Sequence, residues 1–314
     1  MLAAAALVAG LLYWRWQAGE RPSDPGQIAA PSPEHSQRQA GMIGQRAVHT
    51  AADRLPLPPA DVPVASLFDA MKRRADQGDA LASCRLAVEL IQCRDTRHME
   101  LRGAMNNLLS SESEFSEAGN QDAADRAADY QLKLLGARAH CNGLTDSQLS
   151  LAGEYLHQAA QAGIAEALVR YADGQGFPET ESMFGMLHDP DFEQWTREAP
   201  ASVERALRQG DPAAAFMLYL AYSDDNARLT GLIRDDPVLA SRYRLLMARL
   251  RGKPESALKG LTAAQLAESR ASAARMHQEY FDNAVLDPEI SLTASLGSQW
   301  WVQPTETSAR RPCE

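Results

Sequence analysis

The sequence is poor in aromatic residues. Phe, Trp and Tyr make up 6% of its 314 residues, although 45% are hydrophobic. A folded core must therefore be built from small side chains, above all Ala, for which helix is the least costly conformation. A basic surplus is also missing: 31 Lys and Arg stand against 41 Asp and Glu, for a net charge of −10. That excludes a dedicated nucleic-acid binder, which needs a cationic face. Four cysteines are too few for a disulfide-built miniprotein but enough for one or two staples. No stretch from Ala65 to Tyr280 alternates as a half-buried strand would. The motifs of common enzymes are absent too. There is no G-x-S-x-G elbow and no H-E-x-x-H, and Gly174-Gln175-Gly176 lacks the later glycine and preceding strand of a phosphate loop. No catalytic residue, metal ligand or cofactor is nominated on these grounds.

Long hydrophobic runs are lacking, with one short exception. Leu2 to Tyr13 is apolar and is closed by Trp14-Arg15-Trp16. As a helix this run spans roughly 22 Å, against a hydrocarbon core of about 30 Å. No Lys or Arg precedes Arg15, and Trp16 stands where a cleavage site wants a small residue. Residues 1–16 are therefore expected to be an uncleaved anchor in a bacterial inner membrane, with Trp14 and Trp16 at headgroup level. Export with a signal peptide is the alternative. Residues 17–63 hold eight of the 17 prolines and no apolar period, which predicts a disordered, semi-extended linker. A helical body is expected over 64–281 and an irregular tail over 282–314. Trp300-Trp301 in that tail is expected to dock on the body rather than on a partner.

What the sequence does have is helical period. Helices are predicted at 65–77, 79–93, 97–117, 121–139, 146–162, 164–173, 192–209, 211–223, 236–250 and 262–281. Asp211-Pro212 and Asp236-Pro237 each supply an N-cap followed by proline at the first helical position. Gly78, Gly163 and Gly210 fall between helical patterns, where a left-handed C-cap is needed. Four residues after each comes a small one: Ala82, Ala167 and Ala214. These are marks of tight helix–turn–helix units with little bulk at the crossing. The segment Ala213–Tyr222 has no polar face, so it must be covered on several sides.

The order Ala152, Tyr155, Ala159, Ala160, Gly163, Ala167 resembles the Sel-one-like repeat, a relative of the tetratricopeptide repeat. Gly210, Ala214, Leu218, Tyr222 and then Asp236, Ala240, Tyr243, Ala248 resemble a further register, and Ala75–Ala87 a weaker one. The glycines are 85 and 47 residues apart, which departs from an even repeat of roughly 34–47 residues. The resemblance implies an all-α fold, an α-solenoid of stacked antiparallel helix pairs. It also implies a protein–protein interaction adaptor or scaffold of the cell envelope, and not an enzyme; the apolar N-terminal run and the cysteines, rather than the resemblance, are what point to a periplasmic location held by the anchor. Tyr155, Tyr171, Tyr219, Tyr222 and Tyr243 are expected to pack between helices.

Cys84 and Cys93 are nine residues apart on one predicted helix, so they face opposite sides. Cys93 and Cys141 lie at helix ends with helices between them. Cys93–Cys141 is the preferred disulfide and Cys84–Cys141 the second choice. Cys84 shares a stripe with Leu81, Val88 and Ile91 and is expected to be a buried apolar residue; Cys313 is expected to be free. Cys93, His98, His140 and Cys141 make a poor zinc set, because no C-x-x-C supports it and His140 and Cys141 are adjacent. His157 is expected on the surface. The rival class is an envelope enzyme such as a cell-wall hydrolase using carboxylates or His of the 98–140 insertion. A cleft gathering His98, His140 and acids would favour it.

Overall fold

The apolar periods resolve into helices along the whole body. The computed structural model describes residues 56–59, 61–101, 103–178, 185–223, 229, 231–256, 259–286 and 313. Within them lie α1 (Val64–Asp76), α2 (Ala80–Leu101), α3 (Ala104–Glu117), α4 (Gln121–Cys141), α5 (Asp146–Leu149), α6 (Ala152–Ala162), α7 (Ala165–Ala172), α8 (Phe192–Arg208), α9 (Pro212–Tyr222), α10 (Pro237–Leu250) and α11 (Ala263–Phe281), with a short 3₁₀ turn at Gly185–His188. There is no β-strand among the described residues.

Local chemistry starts and stops these helices. The Asp211 carboxylate accepts from the Ala213 amide at 2.9 Å, and Asp236 accepts from Val238 and Leu239 at 2.8 and 3.0 Å. Each cap precedes a proline whose missing N–H would have had no helical partner. Gly78, Gly163 and Gly210 adopt φ of 90°, 89° and 80°, the left-handed region that L side chains resist. At Gly210 a Cβ would also fall 2.6 Å from the Tyr280 carbonyl oxygen, so the absent side chain lets α11 close on this turn. Ala82, Ala167 and Ala214 are fully buried, as a close crossing requires.

Helices α1 and α2 pack together, α2 packs on α6, and contact then passes in chain order from α6 through α11. The α3–α4 hairpin leaves this row after α2 and packs on itself and on α2. It accounts for the uneven glycine spacing: the first interval exceeds the second by 38 residues, the length of Ala104–Cys141. Helix α9, apolar all round, is covered by α8 and α10.

Two boundaries differ from expectation. The predicted break after Cys93 does not occur, and α2 runs to Leu101. Asp95 and Thr96, which fall between the two predicted helices, lie buried within one continuous helix. The chain turns instead at Gly103, with φ of 71°. The predicted helix 146–162 is divided at Ser150–Leu151 into α5 and α6.

Cys93 in α2 and Cys141 at the end of α4 stand at 2.04 Å between sulfurs, which ties the base of the hairpin to α2. Cys84 and Cys313 are also paired, at 2.01 Å. This corrects the expectation of a solitary Cys84 and a free Cys313. The chain end returns to the body: the Cys313 amide donates to Glu166 Oε2 at 2.7 Å, and Glu166 is in turn held by the buried Arg170 at 2.8 Å. Residues 229 apart in sequence leave no local pattern that announces this partnership. Two disulfides are compatible with an oxidising, extracytoplasmic location. The expected anchor at 1–16, most of the linker and Trp300-Trp301 lie outside the described residues. No helix among the described residues is long and apolar enough to cross a membrane.

Candidate functional site

Helices α6, α7 and α8 frame an open groove of about 390 Å³. Its position follows from how α8 is fixed. Trp195 is buried, and its Nε1–H donates to the Tyr171 carbonyl at 2.8 Å, pinning α8 across the end of α7. Phe177 meets the Trp195 ring edge-on at 5.6 Å between centroids. With Trp195, Ala199, Val203 and Ala206 buried beneath, the adjoining face of α8 turns Arg197, Glu198, Ala201, Ser202 and Arg205 toward the groove, with Gln194 beside Glu198. These residues are three and four apart, as one helix face requires.

Glu198 is the hub. Its Oε2 accepts from Tyr171 Oη at 2.9 Å and lies 2.9 Å from His157 Nε2, while its Oε1 accepts from Gln194 Nε2 at 3.0 Å. The carboxylate favours the tautomer with the proton on His157 Nε2. The His157 and Tyr171 rings stack at 5.0 Å and 24°. Partial burial pushes the Glu198 carboxyl up, but the hydrogen bonds from Gln194, Tyr171 and His157 outweigh it and hold it below the ordinary carboxylate value. Burial, then the hydrogen bond to Glu198 and the charge of that carboxylate, pushes the Tyr171 phenol up. His157, expected as a plain surface residue, is thus three-quarters covered and built into a network.

Arg205 also lines the groove. Its guanidinium lies across Gly163, where a Cβ would overlap it. A cation beside the end of α6 is favoured by the exposed carbonyls there. Among the described residues Arg197 reaches Glu193 alone, at 3.9 Å and well exposed. The groove therefore offers two cations, a stacked aromatic pair and an anchored carboxylate, all on rigid helices.

The residues of the 98–140 region are arranged differently. His140 Nε2 lies 2.8 Å from Glu89 Oε2, and Glu89 Oε1 is 2.5 Å from Arg85 Nη2. Arg85 and Glu89 are buried beneath α1, beside a space of about 10 Å³, room for roughly one water. His98 is not gathered with them: it stands on α2 nine residues after Glu89, on the opposite side of the helix. Among the described residues no three His, Cys, Asp or Glu could hold a metal ion, and the Cys93 and Cys141 sulfurs are bonded to each other. Sequence reasoning missed the groove because Glu198, Arg197 and Arg205 carry no motif. Only the i, i+4, i+7 polar face of α8 hints at it.

Comparison of the chain with family models, with curated proteins and with solved structures found no match.

Proposed function

We propose that the protein is an envelope adaptor or scaffold that binds a protein partner in the α6–α7–α8 groove. The observation that carries this is the groove itself: about 390 Å³, open, pre-ordered by the Glu198 network, and edged by Arg197 and Arg205. Stacked aromatics beside arginines on a rigid frame are the groups that dominate protein interfaces. A degenerate Sel-one-like α-solenoid is supported by the row of neighbouring helices, by the buried alanines after Gly78, Gly163 and Gly210, and by the glycine interval that becomes regular once the 38-residue hairpin is set aside. A periplasmic site, with the chain held at the inner membrane by residues 1–16 or exported by a signal peptide, agrees with two cysteine pairs at bonding distance.

The test is site-specific photo-cross-linking in intact cells. A photoreactive residue at position 201 in the groove should capture one protein that a residue at exposed position 275 on α11 does not. Arg205→Glu should abolish that adduct without changing the helical circular dichroism. Equal capture at both positions, or an adduct indifferent to Arg205→Glu, refutes the groove as the binding surface.

A further inference from the structure

Helix α4 is apolar on two faces, and only one is covered. Ala123, Ala124, Ala127, Leu134 and Ala137 are buried in the protein's own fold. On the other side Leu132 is 69% and Leu135 48% exposed, flanked by Ala128, Gly136 and Ala139. At 100° per residue these five occupy an arc of about 100°. A stripe of that width with two outward leucines is the pattern of a helix that packs on another helix.

We propose that this stripe joins two copies of the chain, α4 of one lying antiparallel on α4 of the other about a two-fold axis. The spacing carries the choice of occupant. Ala128, Leu132, Leu135 and Ala139 are separated by four, three and four residues, so the pattern reads the same in either direction. In the antiparallel register Ala128 faces the partner's Ala139, and Leu132 faces the partner's Leu135. A two-fold interface needs this self-complementarity; an unrelated partner does not. Charge selects the same orientation. The first half of α4 exposes Asp122, Asp125 and Asp129 beside the single cation Arg126, and the second half carries Lys133, paired with Asp129 of its own helix, and the exposed Arg138, paired with Glu100. Antiparallel pairing lays acids against bases, whereas parallel pairing would set like against like. Gly136 adds a third observation. Among the described residues a Cβ there would meet nothing within 4 Å, so their packing does not require a glycine that weakens the helix. A second helix approaching closely does. The surface is separate from the α6–α7–α8 groove and stands whether or not that groove binds a protein.

The experiment is sedimentation of the full chain with Leu132→Glu, Leu135→Lys, and an equimolar mixture of the two variants. Both positions are exposed, so each variant should keep the wild-type circular dichroism. The wild type should dimerise, and each substitution, present twice per dimer, should raise the dissociation constant at least tenfold. The mixture should recover dimer. In the antiparallel register the introduced carboxylate meets the introduced ammonium at one contact, and leucine meets leucine at the other. A wild type that stays monomeric, a dimer indifferent to both substitutions, or a mixture no tighter than its components overturns the proposal. A photoreactive residue at position 132, in a mixture of isotopically light and heavy chains, gives a second readout. Light-to-heavy adducts on α4 support the pairing, and adducts within one chain to residues 287–312 overturn it.

Discussion

Removing the Cys84–Cys313 bond should be the most damaging small change that leaves every helix intact. The bond spans 229 residues and Cys93–Cys141 spans 48. A cross-link stabilises chiefly by restricting the unfolded chain, and the loop-closure relation gives about 5 kcal/mol for the first and about 4 kcal/mol for the second. Cys84 is fully buried in α2, so alanine is the right replacement, because serine would bury a hydroxyl. The comparison is Cys84→Ala/Cys313→Ala against Cys93→Ala/Cys141→Ala, by urea unfolding followed by circular dichroism without reductant. Both variants should unfold at lower urea than wild type, the 84–313 pair lower still. Excess thiol should bring wild type below either. The loss should be sharpened by a local effect: once Cys313 is released, Glu166 loses the amide it accepts at 2.7 Å and keeps only Arg170. Wild-type midpoints in both variants, or the reverse order with equal slopes, would refute the reasoning. So would a non-reducing peptide map in which Cys84 and Cys313 are both alkylated.

Two further outcomes are expected. Gly78→Ala places a side chain at φ 90° in open space and should cost about 1 kcal/mol of left-handed strain. Gly210→Ala adds a collision with the Tyr280 carbonyl oxygen at 2.6 Å, a backbone atom that cannot step aside, and its thermal midpoint should fall clearly further. Glu198 gives a pH signature. Its folded carboxyl titrates below the ordinary 4.5, so the stability it adds is present above that value and is lost as pH falls through the folded one. Glu198→Gln should flatten this acid-side loss in urea midpoints measured downward from about pH 5, and an unchanged slope would show that the network contributes nothing.

Much of the fold was legible because its causes are local. The Asp-Pro starts at 211 and 236 and the left-handed glycines at 78, 163 and 210 are one-residue signals, and they stand in the structure where the spacing puts them. The false break near Asp95 shows the limit. A polar segment that reads as a gap between helices stays within one when tertiary packing buries it. The groove was less legible. Polar residues repeating along α8 describe a wet face equally well whether that face is open or lined by a neighbouring helix. The contacts of Glu198 with His157 and Tyr171 span 41 and 27 residues, beyond the reach of any helical period.

Sequence alone determined the all-helical class, the tight crossings and the small-residue core, because Ala content, period and caps act within a turn or two of the chain. Tertiary structure alone decided that Cys313 seeks Cys84, that α3–α4 stands out of the row, and that His157, Tyr171 and Glu198 converge. Those pairings depend on which covered faces meet in space, a quantity set by the sum of many weak contacts rather than by any short run of residues.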